Sequence, residues 1–186
     1  MSRSGRSFGI ALGLSVALSF LTAPSHAATP AWVREALNER YLRSYVELDS
    51  EPGAGEVFGR GVVLILQADA VPALPFRLTR LSAKSPRLHI RDFAPVDIDV
   101  DGRLIARPAP LTVVKGTRLV VLDLKVEADR VRLFTHTLAP LSVANDTNVY
   151  GCTEFIFRFA PTVLERGDLS EIESRIDEWV PLVERR

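Results

Sequence analysis

From Val33 onward the apolar residues recur at helical spacing. Val33, Ala36, Leu37, Tyr41, Tyr45 and Leu48 fall on one face of a 3.6-residue repeat, with Arg34, Glu35, Asn38, Glu39 and Arg43 between them. Thr29 can cap a helix and Pro30 suits its first turn, so the spacing predicts a helix over residues 30–47. Residues 49–55, rich in Pro and Gly, end it as a loop. The period then falls to two. Val62 to Leu66 is an unbroken apolar run, the mark of a buried strand. Shorter strands are expected at 76–81 and 87–91. Val96, Ile98 and Val100 alternate with Asp97, Asp99 and Asp101, and Asp101-Gly102 leads into Leu104, Ile105 and Ala106; alternation around Asp-Gly predicts a hairpin. After the Lys115-Gly116 turn, Val120, Leu122, Leu124 and Val126 are expected on one side of a strand. Val121, Asp123, Lys125 and Glu127 then form its wet face. Ala128-Asp129 turns the chain into a strand at 130–138, where Val131 and Leu133 oppose Arg130 and Arg132. Residues 139–148 read as a loop, and 149–159 as a last strand with Phe155, Phe157 and Phe159 on one side. Asp168 with Glu171 makes a capping-box pattern before an apolar stripe of Leu169, Ile172, Ile176, Trp179 and Val180, which Pro181 ends.

Consecutive hairpins between two terminal helices predict an α+β domain. The expected core is a small curved antiparallel sheet or partly closed barrel of about six or seven strands, because closure removes exposed edges. Over residues 110–138 the order of Lys-Gly turn, amphipathic strand, short turn and strand resembles the middle of SH3-like small barrels. That resemblance implies a fold and leaves function open, since such barrels host many activities.

The first 27 residues follow another pattern. Arg3 and Arg6 precede an apolar run from Phe8 to Leu21, and a short polar stretch then ends in small residues. This is the layout of a cleavable signal peptide, with Ser25 and Ala27 at the two small positions and cleavage expected after Ala27. The run is shorter than the roughly 20 residues a membrane-crossing helix needs. The arginines are not adjacent and no cysteine lies near the cut, which argues against a twin-arginine signal and against lipidation. Residues 28–186 then form one globular domain with no further membrane span expected.

Composition changes this picture in three ways. Without Arg3 and Arg6, 21 basic residues face 23 acidic ones, a net charge of −2. That balance gives no electrostatic case for nucleic acid or a membrane surface. Arginine (20) far exceeds lysine (3), as in proteins of GC-rich bacterial genomes. Cys152 is the only cysteine, so an exported domain of this kind must be stabilised by packing rather than by an internal disulfide.

Four groups of residues carry candidate chemistry. Asp97, Asp99, Asp101 and Gly102 match the opening of a calcium loop, but position 108, where the closing glutamate belongs, is Pro108. A hairpin with its aspartates on the wet face accounts for the same residues. Cys152 shares a strand side with Glu154 and Arg158, and His136 shares one with Arg132. If the two strands are neighbours, Cys152, His136, Glu154, Arg132 and Arg158 form one polar patch in which a thiol has a base within reach. Gly151 can shift that register, and none of the local signatures of catalytic cysteines is present. A basic stretch holding Arg77, Arg80, Lys84, Arg87, His89 and Arg91 without an acid suits an anionic polymer or headgroup. Asn145-Asp146-Thr147 is a formal glycosylation site. No serine-hydrolase elbow, zinc-ligand spacing, phosphate loop or cofactor motif occurs.

These observations favour a periplasmic or secreted bacterial envelope protein that binds a protein or polymer partner without catalysis. A thiol-dependent enzyme built on Cys152 and His136 is one alternative. An accessory factor for the assembly of another exported protein is the other.

Overall fold

The computed structural model describes residues 29–42, 45–46, 59–60, 62–77, 92–144 and 147–183. The leader, the strand expected at 87–91, the sequon residues Asn145 and Asp146, and Arg80, Lys84, Arg87, His89 and Arg91 lie outside them.

Helix α1 (Ala31–Leu42) is followed by two short strands, β1 (Tyr45–Val46) and β2 (Gly59–Arg60), paired with each other. Then come β3 (Val63–Ile65), β4 (Ala70–Arg77), β5 (Ala94–Ile98), β6 (Leu104–Ala106), β7 (Leu111–Val114), β8 (Arg118–Val126) and β9 (Arg130–Thr137). Strands β10 (Ser142–Ala144) and β11 (Thr147–Arg158) lead into helices α2 (Pro161–Arg166) and α3 (Leu169–Trp179). Strands β3 to β11 form one curled, mainly antiparallel sheet of nine strands, a partly closed barrel flanked by helices. The α+β class and the curved sheet expected from the hairpin pattern are what the structure has.

Strand β11 organises the sheet. Its Cys152–Arg158 half pairs antiparallel with β9, from Cys152 opposite His136 to Arg158 opposite Arg130. Its other edge changes neighbour midway. Val149–Cys152 pair antiparallel with Arg77–Leu74 of β4, and Thr153–Phe157 pair in parallel with Ala94–Ile98 of β5. Strand β4 has by then turned away to pair with β7, and the Thr153 hydroxyl donates to the Pro72 carbonyl at 3.0 Å across the split. This hand-over bends the sheet around its core.

The inner face carries Val96, Ile98, Leu119, Val121, Leu124, Val131, Leu133, Phe155 and Phe157, packed with Val33, Leu37 and Tyr41 of α1 and with Ile172 and Ile176 of α3. Arg40 of α1 reaches α3 through Asp177 at 2.6 Å and Glu173 at 3.5 Å. The Asp168 carboxylate accepts the Glu171 amide at 3.2 Å, the cap expected from the sequence.

Several boundaries differ from the sequence expectation. Helix α1 stops at Leu42 and Tyr45 lies in β1, while the Thr29 hydroxyl donates to the Glu127 carbonyl at 3.1 Å and caps no helix. Strand β4 starts at Ala70, earlier than expected, and runs through Pro72 and Pro75. Residues 142–144 and 147–148 are strand rather than loop. In β8 a bulge between Val121 and Asp123 inserts an extra residue and reverses the alternation. Leu119, Val121, Leu124 and Val126 therefore share the core, and Leu122 faces the other way. Val100 stands in the hairpin turn, half exposed, instead of pointing inward. Gly151 shifts no register: β11 pairs evenly past it. A β-carbon there would meet Leu141 Cδ1 at 2.8 Å and Ala73 Cβ at 3.0 Å, so the glycine answers to close packing. The far edge of the sheet is covered by the C-terminal segment. The Ile65 amide donates to the Pro181 carbonyl at 3.0 Å and the Val183 amide to the Val63 carbonyl at 2.9 Å.

Candidate functional site

The outer face of β8, β9 and β11 holds all five residues of the polar patch, and it divides into two parts. One cross-strand row runs Val120, His136, Cys152, Leu74 over β8, β9, β11 and β4. Cys152 and His136 are thus direct neighbours in register, each about 1% exposed. Cys152 packs with Leu122, Phe76 and Phe93, and the Tyr150 ring stands edge-on to His136 at 6.0 Å between centroids.

Burial fixes the protonation of both groups. With no charge beside it to favour the thiolate, desolvation pushes the Cys152 thiol up to about 12. Desolvation pulls the His136 imidazole down to about 4, against a smaller opposing effect of the Thr137 carbonyl. His136 Nδ1 lies 2.7 Å from that carbonyl, which can only accept, so Nδ1 carries the hydrogen. Nε2 is left as a lone pair with no partner. A cysteine nucleophile requires the reverse arrangement, a thiolate beside an imidazolium. Here both groups are neutral at physiological pH.

The other part of the face is a chain of ion pairs. Arg132 contacts Glu154 and, at 3.0 Å, Glu127. Arg130 contacts Glu127 at 3.1 Å and Asp129 at 2.9 Å. Arg158 takes Asp97 with two hydrogen bonds of 2.7 and 2.8 Å and approaches Asp129 at 3.7 Å. Seven residues from Glu154 to Asp97 are linked in this way. Hydrogen bonding to Glu154 raises the Arg132 pKa further, and that to Asp97 does the same for Arg158. The Lys125 ammonium and the Arg132 guanidinium also lie over the Phe134 ring, at 5.3 and 5.2 Å. Arg132, Glu154 and Arg158 are therefore engaged with other charges, while Cys152 and His136 sit in the apolar part.

The expected patch rested on the condition that the strands of Cys152 and His136 are neighbours, which they are, but it left out Glu127, Asp129, Arg130 and Asp97 as its partners. Glu127 precedes the turn before β9 and Asp129 lies in it, which hints at their position. Asp97 reaches Arg158 only because β5 lies parallel to β11, and parallel pairing of distant segments leaves no local mark.

Asp97, Asp99 and Asp101 do not converge. Asp97 holds Arg158, and one Asp99 carboxylate oxygen accepts the amides of Asp101 and Arg103 at 2.9 and 2.8 Å. Gly102, at φ +77°, completes this turn. Among the described residues no three His, Cys, Asp or Glu side chains are grouped to hold a metal ion, and no helix is long and apolar enough to cross a membrane. Arg77 of the basic stretch is exposed at the end of β4, opposite Val149.

Comparison with known proteins adds no assignment: no protein-family model, curated protein or solved structure matches the chain.

Proposed function

We propose that the chain is an exported bacterial envelope protein that acts by binding a protein or polymer partner, without a catalytic step of its own. The observation that carries this reading is the state of the outer face. Its thiol and imidazole are sealed and neutral, and the seven charged residues from Glu154 to Asp97 are paired with one another. A substrate would have to break the ion-pair chain or open the apolar row before meeting a reactive atom. Export rests on the leader, with Arg3, Arg6 and the apolar run ending at Ala27. An anionic polymer remains the partner to test for the basic stretch of Arg77, Arg80, Arg87 and Arg91.

The test has two arms. Protein recovered from cells should have lost residues 1–27 by intact mass and fractionate with the envelope. In-cell crosslinking should capture the same partner for the wild type and for Cys152→Ala. Labelling of Cys152 by a thiol-directed electrophile in the native protein, with loss of partner capture in Cys152→Ala, would transfer the assignment to the thiol-enzyme reading.

A further inference from the structure

The outer edge of β6 has the features of a strand-addition site, and the occupant can be stated from its chemistry. Among the described residues β6 pairs with β5 alone, through Val96–Ala106, Asp97–Ile105 and Ile98–Leu104. The Asp99 amide donates to the Arg103 carbonyl at 3.0 Å, so the backbone groups of Arg103 and Ile105 face β5. By the same alternation the N–H and C=O groups of Leu104 and Ala106 point away from β5, along the open edge. Their side chains pack against the core, which anchors the strand. Arg103, Ile105 and Arg107 make one outward row, and Ile105 is 59% exposed. The guanidinium groups of Arg103 and Arg107 have no ion-pair partner among the described residues. The nearby Asp97 carboxylate is held by Arg158, and Asp99 accepts backbone amides.

The edge is also held still. The Asp99 turn closes the β5–β6 hairpin, and Arg175 of α3 donates to the carbonyls of Asp99 and Val100 at 3.1 Å each. A strand arriving at a fixed edge forfeits little ordering entropy on the protein side. Edge strands commonly carry charge to discourage self-pairing. A two-fold pairing of two copies through Ile105 sets Arg103 against Arg107 at both ends, which is repulsive. An incoming strand with acids at those two places and an aliphatic residue between them gains both charge pairs and covers Ile105.

We propose that the β6 edge binds an extended segment of a partner protein patterned acid-x-aliphatic-x-acid, by adding it as a further strand. The inference rests on the binding-domain reading above and names its partner class. Main-chain hydrogen bonds to Leu104 and Ala106 supply the affinity, and Arg103 and Arg107 select the partner.

The probe is a labelled peptide with the core Glu-Thr-Val-Thr-Glu, compared with one in which Lys replaces Glu. The acidic peptide should bind in fluorescence anisotropy, and bound peptide should slow amide exchange at Leu104 and Ala106. The double variant Arg103→Glu/Arg107→Glu should weaken the acidic peptide about tenfold and favour the lysine one. Ala106→Pro removes an edge donor without touching the bonds to β5, and it should weaken binding while the β5–β6 amides stay protected. Equal binding of both peptides, no binding of either, protection elsewhere, or self-association that protects Leu104 and Ala106 would each overturn the proposal. If the charge-reversed protein still captures its partner in cells, this edge is wrong and the binding-domain reading stands. Native labelling of Cys152 with loss of capture in Cys152→Ala would remove the binding-domain reading and, with it, the partner assigned to this edge.

Discussion

At pH 8 a thiol held near 12 is about one part in ten thousand thiolate, roughly a thousandfold below an unperturbed cysteine. Cys152 should therefore react with iodoacetamide about a thousandfold more slowly in native protein than in denaturant, as read by mass spectrometry. His136 makes the opposite kind of prediction. Its folded-state value near 4 lies below the usual 6.5, so between these limits the unfolded chain binds the proton and the folded one does not. The His136 contribution to stability should be level above pH 6.5 and fall by about 3 kcal/mol as pH drops toward 4. Urea titrations across that window should have a flatter pH dependence for His136→Asn, which keeps a donor near the Thr137 carbonyl. Gly151→Ala tests the packing argument. The added methyl meets Leu141, Ala73 and Val113, and overpacking of this kind should cost about 1–3 kcal/mol. An unchanged denaturation midpoint would mean that the neighbours yield easily.

At the level of elements, the C-terminal segment closes the β3 edge through the Pro181 carbonyl and the Val183 amide. Removing residues 181–186 should cost about 2 kcal/mol from two hydrogen bonds and the covering side chains, and the Ile65 amide should exchange faster. Helix α3 was legible in the sequence because its signals are local: Asp168 and Glu171 for the start, Ile172 and Ile176 for the buried stripe, Pro181 for the stop. The β8–β9 hairpin followed from alternation in the same way, whereas the pairing of β9 with β11 was only a condition of the expected patch and is supplied by the structure. Strand β4 was only partly legible: its start at Ala70 lies ahead of the expected Phe76, and the strand carries Pro72 and Pro75 on either side of the point where it changes neighbour from β7 to β11. The bulge in β8 could not be seen, since Val120 to Val126 read as a regular alternation and tertiary packing decides where the extra residue goes. The candidate site followed the same division. The polar side of each strand that carries Cys152 and His136 was readable from parity, whereas their direct pairing depends on strand register and the burial that neutralises both depends on Phe76 and Phe93, which come from elsewhere in the chain.

For the whole molecule, one cysteine means that stability owes nothing to disulfides. The melting temperature should be the same with and without reductant, and a shift would indicate crosslinked copies. The sheet joins segments far apart in sequence, with Leu74 opposite Cys152 and Ala94 opposite Thr153. Refolding should accordingly take milliseconds to seconds, the range of domains built on non-local strand pairing, and stopped-flow fluorescence can measure it.

The central position of β11 has a consequence for how the protein is made. Strands β4, β5, β9 and β10 all pair with a segment that begins at Thr147, and until it emerges the β3–β8–β9 unit, the β4–β7 pair and the β5–β6 hairpin are not joined to one another. Isolated hairpins are marginal in water. A chain that stops before about residue 158 thus lacks the strand that joins these units, and the whole sheet closes only once β11 is complete.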